Sequence, residues 1–412
     1  MRYLSFLTLI SFALVCAAES ASAETKTPRW EKIILSDKFH AEGACIGDFN
    51  KDGILDVAVG HYWYEGPDFT KRHQFFDGND ARDFNPAHYS ECFGMFVGDF
   101  NGDGWDDILI CPHPGKEGFW YENPKNAEDQ NEEKPWKRHP VTIELGNESQ
   151  EFADILGIGH KSLLFNRDGY LGFVTPNPET PYEPWDFTAI NGERDGRFGR
   201  YTHGLGYGDI TGNGKLDFLE RTGWWEQPED PKQTPWTFHK FPFADAAAHI
   251  LVFDVDGDGL NDVVTSLECH MYGLAWYRQV RHDNGEISFE KSVLIPRSNV
   301  PFNLANADFP VVSQLHALVK ADMNGDGIPD FVTGKRFWAH GPQGDVRPND
   351  PAILMWWETK RDGEGGATFV PHVIDDDSGA GTQFAVGDLN GDGIPDIVIG
   401  NKKGAFVFLS EK

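Results

Sequence analysis

Histidine, tyrosine and cationic side chains recur at matched places in this chain, just before or just after short apolar runs. Ahead of one set of runs stand His40, His88 with Tyr89, Gln150, Tyr201 with His203, His249, His316 and Gln383. Behind a second set stand His61, His113, Arg221, Glu268 with His270, Lys335 with Arg336, and Lys402. The chain holds only 15 histidines and has a formal charge of −29, so such a group is hard to ascribe to chance. Three chemistries fit it. Single histidines cap strand ends and bond loop carbonyls. Converging neutral imidazoles suit a divalent transition metal such as zinc, although no local HxH or HExxH spacing marks one. His and Tyr also carry protons, while Arg and Lys hold a carboxylate or a developing enolate. In that arrangement base and acid fall among His88, Tyr89, His113, Tyr201 and His203, with Arg221 or Arg336 on the anionic group. A metal held by some of His249, His270 and His316 could replace the cation.

What must position these residues is a repeat. A nine-residue phrase reads DFNKDGILD (48–56), DFNGDGWDD (99–107), DVDGDGLND (254–262), DMNGDGIPD (322–330) and DLNGDGIPD (388–396). DITGNGKLD (209–217) is a weaker copy and DILGIGHKS (154–162) an eroded one. The copies start 45 to 68 residues apart, each is followed by an apolar run, and no helical period interrupts them. That predicts an all-β fold, a seven-bladed β-propeller of four-stranded blades. After the last phrase only two strands remain, DIVIG and GAFVFL, while PRWEKIIL (28–35) matches the fourth-strand pattern. The N-terminal strand is therefore expected to complete the last blade and close the ring, removing two open edges. The residues listed above then gather on the face opposite the acidic loops, around a central channel.

Positions 1, 3, 5 and 9 of the phrase carry oxygen, with glycine at 6 for the sharp turn. Hard oxygens at that spacing suit calcium. Five loops qualify: Asp48, Asn50, Asp52 and Asp56; Asp99, Asn101, Asp103 and Asp107; Asp254, Asp256, Asp258 and Asp262; Asp322, Asn324, Asp326 and Asp330; Asp388, Asn390, Asp392 and Asp396. Asp209, Thr211, Asn213 and Asp217 offer less charge, and Leu156, Ile158 and Ser162 remove the site at 154–162. These ions are expected to brace hairpins, so chelation should cost stability. Third-strand tryptophans (Trp63, Trp120, Trp224, Trp225, Trp276, Trp356 and Trp357) recur at one structural position, which means packing between blades. Phe337, Trp338, Phe302 and Phe309 fall in loops outside that pattern and are the candidates for stacking on a sugar.

Residues 1–23 have a short basic start, an apolar stretch and a small-residue end, the pattern of a secretory signal peptide. The mature chain, 24–412, is expected in the periplasm or outside the cell, with no membrane span. The acidic balance argues against nucleic acid or an anionic membrane as partner. Cys45, Cys92, Cys111 and Cys269 are too scattered for a disulfide framework. Cys92 and Cys111 flank the 99–107 turn and could pair, or stay as two buried thiols.

The DxNxDGxxD phrases resemble the FG-GAP or VCBS repeat family, similar to the propeller of integrin α-subunits. The WYENP and WWEQP strands with LECHMYGLAWY (267–277) are more similar to a secreted bacterial subgroup. That subgroup resembles the propeller of aldos-2-ulose dehydratase, which eliminates water from a keto-sugar; some ulvan lyases are also seven-bladed propellers. No cupin portion accompanies the propeller here, so only the propeller's share of such chemistry could carry over. The resemblance implies a carbohydrate lyase or dehydratase. The alternative is a non-catalytic propeller binding a glycan or a cell-surface protein, since nucleotide, nucleophile-elbow and metalloprotease signatures are missing.

Overall fold

The computed structural model describes residues 27–77, 88–125, 135–298 and 311–411, with backbone alone over 302–304 and 307–309. The expected signal peptide and the side chains of Phe302 and Phe309 lie outside the described residues. Among the described residues every regular element is a strand. The second strand of each unit begins at the ninth position of an Asp phrase: Asp56–Val59, Asp107–Cys111, Asp217–Glu220, Asp262–Ser266, Asp330–Lys335 and Asp396–Asn401. These short apolar runs are buried along their whole length, as such a run between turn signals should be.

The strands pair antiparallel into four-stranded sheets whose order follows the chain. Two neighbouring units fuse into one seven-stranded sheet, because Lys137–Ala153 runs for 17 residues without a break. Its first half is the outer strand of one unit and its second half the inner strand of the next. The last sheet is completed by Arg29–Ser36, which pairs with Gly404–Glu411 from Arg29 opposite Glu411 to Ser36 opposite Ala405. This is the architecture of a repeat β-propeller. Inner strands neighbour one another in sequence: Ala44–Gly47 lies by Gly94–Gly98, then come Lys137–Ala153, Leu205–Gly208, Leu251–Phe253, Leu315–Ala321 and Ala385–Gly387. The last of these lies beside Ala44–Gly47 again.

The apolar core sits between sheets, with clusters such as Phe253, Trp276, Leu315, Phe331 and Trp357 drawn from two of them. All seven third-strand tryptophans are buried. In four sheets the tryptophan stacks on a fourth-strand histidine whose Nε2 meets a glutamate two residues beyond the tryptophan. The triads are Trp63–His73–Glu65, Trp120–His139–Glu122, Trp224–His239–Glu226 and Trp356–His372–Glu358. Ring centroids lie 4.0–4.9 Å apart and the His–Glu contacts span 2.7–3.0 Å. Cys45, Cys92, Cys111 and Cys269 are free and buried, so the Cys92–Cys111 pairing is absent and the thiol alternative holds.

Candidate functional site

The residue six places before each Asp phrase enters the inner strand at its mouth. In chain order these are Glu42, Phe93, Glu148, His203, Ala248, His316 and Thr382, and every one is buried. Residues at the far end of the second strands meet them there: His113, His270 and Arg336. Arg336 is 2% exposed. Its Nε and Nη2 donate to Glu42 Oε1 at 3.0 and 2.8 Å, and its Nη1 donates to Glu148 Oε2 at 2.7 Å. One guanidinium thereby ties three distant parts of the chain together. Burial alone would raise the Glu148 carboxyl, but Arg336 and His203 outweigh it and hold it far below the usual carboxylate range.

Above this floor three imidazoles form a triangle, with ring centroids 4.9 Å (His203–His270), 4.7 Å (His270–His316) and 5.5 Å (His203–His316) apart. With Cys269 they each offer a ligand atom within 4.8 Å of the others. All three rings are largely buried: His316 Nε2 has no hydrogen-bond partner, while His203 Nε2 lies 3.4 Å from Glu148 Oε2 and His270 Nδ1 lies 3.4 Å from Asp345 Oδ1. His316 Nδ1 faces the Gln314 carbonyl at 3.2 Å, which leaves its other nitrogen for the centre of the triangle. Burial pushes His316 well below and His270 below the usual histidine value, so both are neutral and ligand-ready at pH 7. Asp345 Oδ1 lies 2.7 Å from His340 Nδ1 and 3.4 Å from His270 Nδ1, an anion beside both rings. Arg336 balances one of Glu42 and Glu148, while Lys402 acts on Glu42 and Asp345 and Lys335 on Asp345. Imidazole nitrogens and a thiol gathered within 4.8 Å of one another fit a soft divalent cation.

The sequence-expected residues distribute unevenly over this site. Tyr201, His113, Tyr89 and His340 continue the file from His270, with ring centroids at 5.6 Å (Tyr201–His113), 5.1 Å (His113–Tyr89), 6.4 Å (Tyr89–His340) and 4.5 Å (His340–His270). His88, Tyr89 and His113 line a cavity of about 1020 Å³ with Lys116, Arg138 and Tyr121. Burial lowers His113 and raises Tyr89, so at neutral pH the imidazole is unprotonated and the phenol keeps its proton. Arg336 is enclosed by carboxylates rather than aimed at a ligand, and Arg221 donates to the Asp245 carbonyl at 2.7 Å, outside the file. His249 lies apart from the triangle, in an axial cavity of about 260 Å³ that Glu151, Tyr207 and Lys320 also line. His40 meets Ser36 Oγ at 2.9 Å, as strand capping requires. Phe337 and Trp338 stack on each other at 4.7 Å. Sequence reasoning passed over Glu42, Glu148, Cys269, His340 and Asp345. The first two were findable, because they share the register place of His203 and His316.

At the opposite ends of the same strands lie the Asp phrases. In all seven the first aspartate accepts the N–H of position six, at 3.0 Å for Asp48 and Gly53 and at 2.9 Å for Asp154 and Gly159. The eroded loop keeps this turn although Leu156, Ile158 and Ser162 offer no carboxylate, so aspartate and glycine alone build the bend. The ninth aspartates (Asp56, Asp107, Asp217, Asp262, Asp330 and Asp396) are fully buried and accept backbone N–H groups on both oxygens, as Asp56 does from Phe49 and Gly66. Oxygens of Asp254, Asp256 and Asp258 lie within 4.8 Å of one another.

A family model described as an FG-GAP-like repeat matches residues 322–399. No curated protein matches the sequence. Among solved structures, an Agrocybe aegerita lectin described as recognising non-reducing terminal N-acetylglucosamine is 16% identical, with TM-score 0.45 over 86% of this chain and 82% of that one. BBS1N, in a complex with ARL6DN, is 7% identical, with TM-score 0.48 over 92% of this chain and 94% of that one. The V. cholerae biofilm matrix protein Bap1 is 12% identical, with TM-score 0.41 over 91% and 88%. The segment holding the last two Asp phrases is thus similar to FG-GAP-like repeats.

Proposed function

We propose that this chain is a secreted, calcium-braced, seven-bladed propeller that acts on carbohydrate by β-elimination, from a keto-sugar or a uronate. The blade count is supported by the cycle of seven neighbouring inner strands and by the pairing of Arg29–Ser36 with Gly404–Glu411. The observation that carries the chemistry is the aromatic file from Tyr201 through His113 and Tyr89 to the histidine triangle, opening on a cavity of about 1020 Å³. His113, kept neutral, takes the proton next to the substrate carbonyl or carboxylate. The C–H electron pair becomes the new double bond as the C–O bond one carbon further breaks. Tyr89, kept protonated, delivers its proton to the departing oxygen; burial holds each group in the protonation state its role needs while weakening the one as base and the other as acid. Tyr201 packs on His113, His88 lines the cavity, and Lys116 there offers positive charge to an anionic sugar, Arg138 being paired with Glu117 at 2.9 Å.

His203, His270, His316 and Cys269 would hold a zinc-like ion. Four protein ligands make a closed set, which is the habit of structural rather than catalytic zinc. Such an ion supplies fixed positive charge and joins loops from several sheets. Proton transfer then belongs to His113 and Tyr89. The test is incubation of the mature protein, in calcium, with uronate polysaccharides and with keto-sugars, following ultraviolet absorbance of unsaturated products. Turnover that survives in both His113→Gln and Tyr89→Phe would overturn the assignment. Saturable glycan binding without product would replace the enzyme by a binding propeller.

A further inference from the structure

The 254–262 loop breaks a pattern its sister loops keep. In two of the sheets with a Trp–His–Glu triad, the glutamate also reaches the third position of the Asp phrase. Asn101 Nδ2 donates to Glu122 Oε1 and Asn324 Nδ2 donates to Glu358 Oε1, both at 3.3 Å. In the sheet of the 254–262 loop all three partners change together. Asp256 stands at the asparagine place, Arg278 at the glutamate place, and Ser292 faces Trp276 where a histidine would stand. A lone Asn→Asp change would add charge to an already acidic turn. Here the added carboxylate comes with a guanidinium.

Arg278 Nε donates to Asp256 Oδ2 at 2.5 Å and Nη2 to Asp258 Oδ2 at 3.1 Å. The Asp256 side chain is fully buried beneath it. The remaining oxygens are also taken. Asp254 accepts Gly257 and Gly259 N–H, Asp256 Oδ1 accepts Asp258 N–H, Asp258 Oδ1 accepts Leu260 N–H, and Asp262 accepts Gln279 N–H and the Trp276 indole. Arg361, from the next sheet, donates to the Asp254 and Val255 carbonyls and clasps the outside of the turn. Two sister loops use a neutral donor instead: Asn50 Nδ2 donates to Asp52 Oδ2 at 3.0 Å and Asn324 Nδ2 to Asp326 Oδ2 at 3.1 Å. In the 99–107 loop Lys125 reaches Asp103 at 2.8 Å, but it touches that carboxylate alone and Asn101 stays neutral. The fixed fork of a permanently charged arginine is suited to holding two carboxylates at once.

We propose that the 254–262 loop carries its own cation, the Arg278 guanidinium, in place of a bound calcium ion. It therefore stays ordered when calcium is withdrawn from its sisters. This rests on the calcium reading of the sister loops. The test is amide hydrogen exchange of the wild-type protein with calcium and with a chelator. Peptides covering 322–330 and 388–396 should exchange at least about tenfold faster without calcium, while 254–262 is unchanged. In Arg278→Gln the same peptide should become calcium-dependent, and the calcium stoichiometry should rise by one. Deprotection of 254–262 together with 322–330 in the wild type would overturn the proposal. A chelator that changes neither peptide would instead bring down the calcium reading, and this contrast with it. The wild-type comparison stands even if the variant does not fold.

Discussion

Arg336 shows how a residue's type is legible while its task is not. Its charge and its place after a second strand suggested an anion holder, but Glu42 and Glu148, far off in sequence, close on it from two other sheets. Replacing it by methionine leaves two buried carboxylates unpaired and should cost about 3–5 kcal/mol. A denaturant titration reads this directly, and Glu42→Gln with Glu148→Gln in the same background should recover part of the loss. His249 carries a second expectation. Burial holds it at about 4, below the ordinary histidine value, so the unfolded chain takes the proton first as pH falls. Stability from this group is complete above about pH 6.5 and is lost progressively towards pH 4, amounting to roughly 3 kcal/mol. His249→Gln should flatten that part of the pH–stability curve, and an unchanged slope would refute the assignment. The histidine triangle needed three dimensions, because His203, His270 and His316 come from three sheets and only their register places hint at meeting. His340 and Asp345, in the long loop after Asp330–Lys335, have no repeat counterpart, so no pattern could have flagged them.

At the scale of single elements the sequence was far more telling, because each Asp phrase encodes its own turn. The first aspartate and the glycine at position six make the bend even in the eroded 154–162 loop. On the calcium reading proposed above, the ion would add to a turn already formed and would not be its cause. Removing it should lower stability without unfolding the hairpins, by about 2.7 kcal/mol from each site that was held at a hundred times its dissociation constant. Calorimetry with and without chelator checks this; an unchanged melting temperature would contradict it. The third-strand tryptophans were equally legible as packing residues, since a residue repeated at one strand position meets the same neighbour each time. Their stacked histidines were not singled out, because histidine spacing after a variable loop shows no fixed period. Trp120→Ala should cost about 3–5 kcal/mol, through the cavity left in the core between sheets. His139→Ala should cost much less, since that ring is a partner at the sheet's outer strand.

For the whole molecule, the pairing of the first strand with the last comes first. The match between residues 28–35 and the fourth strands anticipated the pairing of Arg29–Ser36 with Gly404–Glu411. The unbroken Lys137–Ala153 strand was not anticipated, since its polar stretch ELGNES is irregular: Gly146 alone of it pairs with Ser162–Arg167, across a register shift, and Leu145 pairs with Lys116 on the other side. Deleting residues 27–36 exposes the edge of the last sheet and should drive self-association, visible by size-exclusion chromatography. A truncated chain that stays monomeric and melts like the parent would refute closure by this strand. The proposed elimination rests on the histidines at the mouth. The most direct test of the elimination account is the initial rate of absorbance increase from one uronate or keto-sugar substrate, measured for the parent and for His113→Gln. Loss of a proton-transfer group should cut that rate by about 10²–10⁴-fold while the fold is kept. Equal rates in the two proteins would contradict the account.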